Sequence, residues 1–180
     1  KRSIYMSNNG GFPLYVQAWV NYTPSIDSLY HYGIIYNKGA CVLHLLRYVL
    51  GDTVFFNTLY SYASDTVNFK YKNATTQEFN TKVNQVTGQN YDWFFNSWVY
   101  QANHPVYSNN YSIGNTGGSN WKIDLLVKQT QTNAGFFQIP IKLKIAFTAG
   151  ADTVIKVMNN INNQLFAFNF TRQPTALVFD

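Results

Sequence analysis

The repeating pattern of the sequence changes once, close to Pro105, and this change limits the folds that the chain can adopt. Before it, apolar residues recur at helical spacing. After it, short segments of alternating apolar and polar residues are separated by Asn, Gly and Thr clusters. We therefore predict an α+β chain, in which a small all-helical region (residues 1–105) precedes an antiparallel β-sandwich domain (residues 106–180).

Four helices are predicted before the change in pattern. The first lies within residues 36–52, and its apolar face is so wide that we expect it to be buried on most sides. Asp52 is the predicted cap of the second helix. Thr75 and Glu78 are spaced as a capping box at the start of the third, and the aromatic segment 91–99 is the fourth. For residues 14–20 we expect a short strand or an irregular apolar segment.

Six short strands are predicted after the change in pattern. Apolar residues alternate with lysines over residues 141–145, which places the lysines on a solvated face. The three phenylalanines within residues 164–170 likewise share one face. The predicted strands are residues 106–113, 120–131, 139–147, 152–158, 164–170 and 175–179.

Composition and charge exclude several classes of protein. The net charge of +5 comes from scattered Lys and Arg residues without a basic stripe, so we predict no nucleic-acid partner. The single Cys41 excludes an internal disulfide and a cysteine zinc cage, and we expect it in the core. No apolar stretch reaches the ~20 residues of a membrane helix. Few charges and many Asn, Gln, Ser and Thr favour a secreted, periplasmic or cell-surface protein.

The residues of the chain do not by themselves form a recognisable catalytic set. His31, His44 and His104 are far apart in sequence, and none belongs to an H-E-x-x-H zinc motif. We expect His44 to be a core histidine, since it lies within the first predicted helix. Glu78 is the only glutamate, and the capping box accounts for it. No G-x-S-x-G nucleophile motif and no phosphate-binding loop occur.

Several motifs in one order resemble the aminopeptidase-N-type zinc metallopeptidases. Y-N-K-G-A at residues 36–40, followed by L-G-D at residues 50–52, is similar to the Y-E-K-G-A…L…L-G motif of that family. The resemblance covers about residues 30–105. It continues through segments similar to the A-T-x-x-D-F, S-G-x-D-L-x-W-F-F-x-x-W and G-x-P motifs of the family, at residues 74–79, 87–98 and 104–105.

The resemblance implies one catalytic residue in this chain. In that family the motif tyrosine, here Tyr36, stabilises the oxyanion formed on a peptide carbonyl, and a fixed donor of this kind is worth about 3–4 kcal/mol. Asn37 stands where the family has a glutamate. The zinc ligands and the amine-binding G-x-M-E-N motif of the family lie before this tyrosine, and none is present here.

We therefore expect a fragment of a longer zinc-dependent aminopeptidase, or of a parent that has lost its metal site. The fragment is favoured because the chain begins at Lys1 without a start or targeting segment. The expected partners are a peptide substrate and the N-terminal remainder of the same catalytic domain. Zinc would be bound by the parent and not by this chain, which is predicted to be inactive alone. The sandwich resembles the domain that follows the catalytic domain in the family.

A second hypothesis is a non-catalytic adhesion or carbohydrate-binding module. It would present exposed aromatic side chains as its binding platform, because aromatic rings combine a large apolar face with polar edges. The candidates for this platform are Tyr107, Tyr111, Trp121 and the pair Phe136 and Phe137.

Overall fold

The computed structural model describes residues 11–179, which form two compact units that divide between Asn103 and His104. The first unit is helical and the second contains the strands, as the change in sequence pattern predicts. The α+β fold class is confirmed. Each unit is described by itself below.

The first unit consists of short helices. Residues 14–20 contain a 3₁₀ turn (Gln17–Val20) and no strand, so the irregular alternative of the prediction is the correct one. The other elements in chain order are α1 (Ile26–Leu29), a π-helix (Tyr32–Lys38), α2 (Gly39–Leu50), α3 (Asp52–Ser64), α4 (Thr76–Thr87) and α5 (Asp92–Trp98).

The first predicted helix, within residues 36–52, is divided in the structure between the π-helix and α2, and of the helix starts predicted at Asp52 and Thr75 only the second is confirmed. The capping box is confirmed: the Thr75 hydroxyl accepts from the Glu78 backbone at 3.2 Å, and the Glu78 carboxylate accepts from the Thr75 backbone at 2.7 Å. Asp52 does not cap α3, because Gly51 occupies that position with φ +80°. Asp52 instead accepts two bonds from the Arg47 guanidinium, at 2.8 and 2.7 Å. The Gly51 turn brings this pair together across the end of α2.

The core of the helical unit forms where α2, α3, α4 and α5 meet. Leu46, Val83 and Phe94 are fully enclosed. On α2 only Val42 and Leu46 are buried, so the prediction that this helix is buried on most sides is wrong. Leu43 is 44% exposed and His44 is also exposed, which overturns the expectation of a core histidine. Apolar periodicity locates a helix, but it does not reveal which parts of a wide apolar face are covered.

The second unit contains two antiparallel three-stranded sheets. One sheet has the order β1-β2-β5 and the other the order β4-β3-β6. The predicted strand bounds differ from the observed ones by a few residues at most, except at both ends of β1 and at the end of β2. The strands are β1 (Asn110–Gly117), β2 (Asn120–Val127), β3 (Ile139–Phe147), β4 (Thr153–Asn159), β5 (Gln164–Phe170) and β6 (Pro174–Phe179).

Both sheets contribute to one apolar core, as in a β-sandwich. Alternate residues of β2, such as Ile123 and Leu125, are completely buried, as are Leu143 and Ile145 of β3. The lysines between the apolar residues of β3 are exposed, as predicted. The phenylalanines of β5 pack against the same core from one face. Strict alternation therefore fixes which face of each strand is buried.

A buried glutamine holds the loop between β2 and β3. The Gln129 amide donates to the Phe137 carbonyl at 2.7 Å and accepts from the Phe137 N–H at 2.9 Å. These bonds imitate a pair of ladder hydrogen bonds between strands. The Gln129 nitrogen also donates to Oδ1 of the Asn159 side chain at 3.2 Å. This network satisfies buried polar groups that would otherwise destabilise the sandwich.

Candidate functional site

Tyr36, the single predicted catalytic residue, lies on the π-helix (Tyr32–Lys38). The His31 side chain caps this helix, because its Nδ1 accepts from the Ile34 N–H at 3.3 Å. The Gly39 N–H reaches back to the Ile34 carbonyl, five residues earlier, which is the wide spacing of a π-turn. Segments of this kind are rare and occur frequently at functional sites.

The Tyr36 side chain is accessible. It is 52% exposed, and its ring lies 6.0 Å from that of Tyr32, centroid to centroid, with 32° between the planes. Within residues 11–179, the Tyr36 hydroxyl makes no hydrogen bond. Its O–H is therefore free to donate to a group that approaches from outside the described residues.

Two polar side chains that follow Tyr36 are buried instead. Asn37 is 3% exposed, and its amide nitrogen has no hydrogen-bond partner among the described residues. Lys38 is 2% exposed, and its ammonium donates to the Gln101 carbonyl at 2.8 Å and to the Phe12 carbonyl at 3.3 Å. Burial lowers the pKa of Lys38 to about 8, since desolvation disfavours the charged form. The motif thus places an exposed tyrosine directly before two buried polar side chains.

The surface beside Tyr36 is apolar and exposed. Tyr30 and Tyr32 are each 62% exposed, and Leu43 of α2 is exposed as well. Monomeric proteins seldom expose several large apolar side chains along one segment without a binding role. The π-helix and α2 thus each carry large apolar side chains that the described residues leave exposed.

The described residues do not form a metal site. No group of three His, Cys, Asp or Glu side chains within residues 11–179 is placed to hold a metal ion. His31 uses one ring nitrogen as a helix cap, and His44 lies exposed on α2. The described part of the chain therefore lacks a donor set that fits zinc, and no catalytic step through a metal can be derived from it.

Tyr36 lines neither of two surface cavities. One, of about 550 Å³, is at the end of the sandwich and is lined by Trp121, Phe170 and neighbouring polar residues. The other, of about 710 Å³, lies beside Tyr15 and Tyr100 in the helical unit. Neither is lined by an acid or a histidine. They therefore offer no acid–base pair for chemistry.

The aromatic residues of the alternative hypothesis do not form a platform. Phe137 is completely buried, and Tyr107 packs on the Phe179 ring at 5.0 Å between centroids. Burial raises the pKa of Tyr107 to about 12. Of the candidates only Tyr111 is more than a third exposed, while Trp121 and Phe136 are half-buried. Core packing accounts for most of this set, so the binding-module hypothesis loses its main support.

The sequence predicts a role for Tyr36 but does not predict the burial of the two polar residues that follow it. The sequence motif marks Asn37 only as a departure from the family pattern and predicts no role for Lys38. A usable signal was present, because Lys38 stands directly before an apolar helix, where a charged side chain requires buried acceptors. No helix within residues 11–179 has the length and apolar character needed to cross a bilayer.

Comparison with known proteins gives one family for the helical unit. The sequence model of the peptidase family M1 domain matches residues 13–98. Aminopeptidase M1 of Arabidopsis thaliana is 31% identical over 93 residues, which is 52% of this chain and 10% of that protein. Aminopeptidase N of Lactococcus lactis subsp. lactis is 28% identical over 93 residues, 52% of this chain and 11% of that protein. The chain thus spans about a tenth of the length of these curated relatives.

A solved structure extends the likeness of the fold. Aminopeptidase A of Legionella pneumophila, in complex with aspartic acid, superimposes with a TM-score of 0.60 at 18% sequence identity. The match covers 87% of this chain and 17% of that protein. At this identity the comparison supports the fold alone. It includes part of the sandwich unit, because the matched share is larger than the helical unit.

Proposed function

Because this chain belongs, through residues 13–98, to the aminopeptidase-N-like M1 family of peptidases, we propose that it is part of a zinc-dependent aminopeptidase. In this proposal Tyr36 supplies the oxyanion-stabilising phenol, and the zinc ligands lie on a part of the parent protein that precedes this chain. The observation that carries the proposal is the position of Tyr36. The motif tyrosine lies on a π-helix with its hydroxyl exposed and uncommitted.

The proposed role of Tyr36 follows from the chemistry of peptide hydrolysis. Attack on a peptide carbonyl places negative charge on its oxygen, and a hydrogen-bond donor aimed at that oxygen lowers the barrier. The hydroxyl of Tyr36 can donate without breaking a bond that it already makes within the described residues. Because the negative charge develops on the oxygen only as the bond forms, such a donor stabilises the transition state more than the substrate.

We also propose that the N-terminal remainder of the catalytic domain covers the exposed face of the π-helix and α2. Tyr32 and Leu43 would be buried there. The second unit would be the sandwich domain that follows the catalytic domain. Placement outside the cytoplasm, at the surface, in the periplasm or secreted, stays a prediction from composition.

The test is the substitution Tyr36→Phe in the longer peptidase that contains this chain. Loss of one oxyanion donor lowers kcat by about a hundredfold to a thousandfold in comparable sites. We expect zinc content and KM to change little, since the phenyl ring stays in place. Tyr32→Phe is the matched control, because it removes a hydroxyl from the adjacent exposed ring. Equal turnover of Tyr36→Phe and the unaltered enzyme would refute the role.

The proposal also predicts the behaviour of the chain alone. Purified and supplied with zinc, it should not hydrolyse a panel of aminoacyl-anilide substrates, because the described residues provide no donor set for the metal. Metal analysis after dialysis should show no stoichiometric zinc. Hydrolysis by the isolated chain that is abolished by a chelator would contradict the division of the site between two parts of the parent.

A further inference from the structure

We propose that Lys38 is a positioning residue, whose buried ammonium anchors the π-helix and thereby fixes the phenol of Tyr36. The inference rests on the proposed function of Tyr36 and adds a second residue to it. Lys38 itself is enclosed and does not face the surface on which Tyr36 is exposed. It would act through the backbone and not by touching a substrate.

The ammonium of Lys38 joins three segments of the helical unit. The Gln101 carbonyl, 2.8 Å from Nζ, lies 63 positions later in the chain, just beyond the end of α5. The Phe12 carbonyl, at 3.3 Å, lies 26 positions earlier. These two segments are also bonded to each other, because the N–H groups of Leu14 and Tyr15 both donate to the Val99 carbonyl. Lys38 therefore ties the π-helix to a preformed backbone pair.

Burial of the Lys38 ammonium costs free energy through desolvation, so its presence at this position needs a reason. Lys38 makes no ion pair with a carboxylate among the described residues, although it is almost fully buried. An apolar side chain of similar length would fill the space without desolvating a charge. Such an apolar side chain could not donate hydrogen bonds to two carbonyls, and so it could not fix the distance between the π-helix and the end of α5. The arrangement favours precision of position over stability.

Tyr36 depends on this anchor because it lacks one of its own. Its hydroxyl makes no hydrogen bond within residues 11–179, and its ring contact is with Tyr32, another exposed ring on the same helix. The adjacent Asn37 amide has no described partner either. The orientation of the phenol is therefore set by the backbone that carries it. That backbone is fixed by the His31 cap at one end and by Lys38 at the other.

The decisive test is a double-mutant cycle in the longer peptidase. Lys38→Met should lower kcat by about tenfold to a hundredfold, as expected for a small misplacement of a catalytic group, while KM changes little. In the Tyr36→Phe background the same substitution should cause no further loss of kcat, because the group that it positions is gone. Lys82→Met is the control, since Lys82 is a largely buried lysine of the same unit that pairs with Asp65. It should leave kcat unchanged.

A second readout needs no activity. In this chain, Lys38→Met should accelerate amide hydrogen exchange over residues 33–39, whereas Lys82→Met should not. If Lys38→Met does not fold, Lys38→Gln replaces it in both experiments, because it removes the ammonium and its side chain ends one atom short of the position of Nζ while a polar group stays in the enclosed space. A normal kcat for Tyr36→Phe would overturn the proposed function itself. With that role intact, equal losses of kcat from Lys38→Met in both backgrounds, or unchanged exchange over residues 33–39, would overturn the positioning role alone.

Discussion

Replacement of Lys38 by Met should destabilise the helical unit more at high pH than at neutral pH. The substitution removes an ammonium that donates to two carbonyl oxygens and leaves an apolar side chain of similar length in the same enclosed space. Two opposing effects result. Hydrogen bonds to a charged group are lost, at about 1.5–3 kcal/mol each, and the cost of burying the charge is relieved.

The magnitude follows from the pKa of Lys38. Burial lowers it from the ordinary 10.5 to about 8. Between these values the unfolded chain holds a proton that the folded chain has released, so the free energy of unfolding rises with pH. Each pH unit is worth about 1.36 kcal/mol, which gives an increase of about 2 kcal/mol between about pH 7 and about pH 9.5. The increase is absent from the Met variant. The deficit of the variant should therefore grow by that amount.

Urea unfolding followed by far-ultraviolet circular dichroism measures this deficit. The helical signal reports on the first unit, because the described part of the second unit contains strands and no helix. Other titrating groups are common to both proteins and cancel in the difference. The bonds to the two carbonyls persist across the range, since a neutral amine keeps two N–H donors. The pH dependence thus isolates the burial of the charge.

Leu46→Ala provides the matched control. It opens a cavity in the same core, where Leu46 is 1% exposed, but it removes no titrating group. Its deficit should be independent of pH over the same range. A deficit for Lys38→Met that stays constant or shrinks as the pH rises would show that the charge is not desolvated in the folded chain, and would refute the reasoning.

Four further substitutions test buried polar contacts and the glycine of the motif. Asn37→Leu should stabilise this chain by about 1–3 kcal/mol, because it removes a buried amide that donates to no described group. Asn80→Leu should cost about 1.5–3 kcal/mol, because the Asn80 amide donates to the Asp92 carboxylate at 2.6 Å. Gly39→Ala should stabilise α2 by about 0.4–1 kcal/mol, since Gly39 has helical φ and ψ and its nearest neighbour would be 3.8 Å from the new Cβ. Gln129→Leu should cost about 1–3 kcal/mol, since it removes two hydrogen bonds to the backbone of the buried Phe137. Urea titration measures all of these free energies of unfolding. An Asn37→Leu variant less stable than Asn80→Leu, a destabilising Gly39→Ala or a neutral Gln129→Leu would each contradict the corresponding argument.

The β-sandwich was predictable because its signal is local. Residues 141–145 alternate strictly, and both the covered and the solvated face of β3 are those that the alternation indicates. Turn residues set the limits of most strands, so their bounds could be predicted within a few residues. The Gln129 network was not predictable, because its partners lie 8 and 30 positions away and only the fold brings them together. Periodicity carries no information about such distant polar contacts.

The π-helix was not predictable for a different reason. A π-turn differs from an α-turn by one residue in its hydrogen-bond spacing, and that difference leaves no mark on the pattern of apolar residues. The error over the burial of α2 has a related cause. The apolar residues of the helix include Leu43, which lies exposed in this chain. Apolar periodicity marks every apolar position of a helix, whether or not the described residues cover that position.

The polar groups of the segment from His31 to Lys38 divide into those with hydrogen-bond partners in the described chain and those without. His31 at the start and Lys38 at the end each have partners within the described chain. Between them, the Tyr36 hydroxyl and the Asn37 amide have none there. An isolated structural helix gains nothing from a buried amide without a partner, which costs about 1–3 kcal/mol. A segment fixed at both ends, with a half-exposed tyrosine whose hydroxyl is unbonded between them, is what a site needs if a second part of the protein completes it.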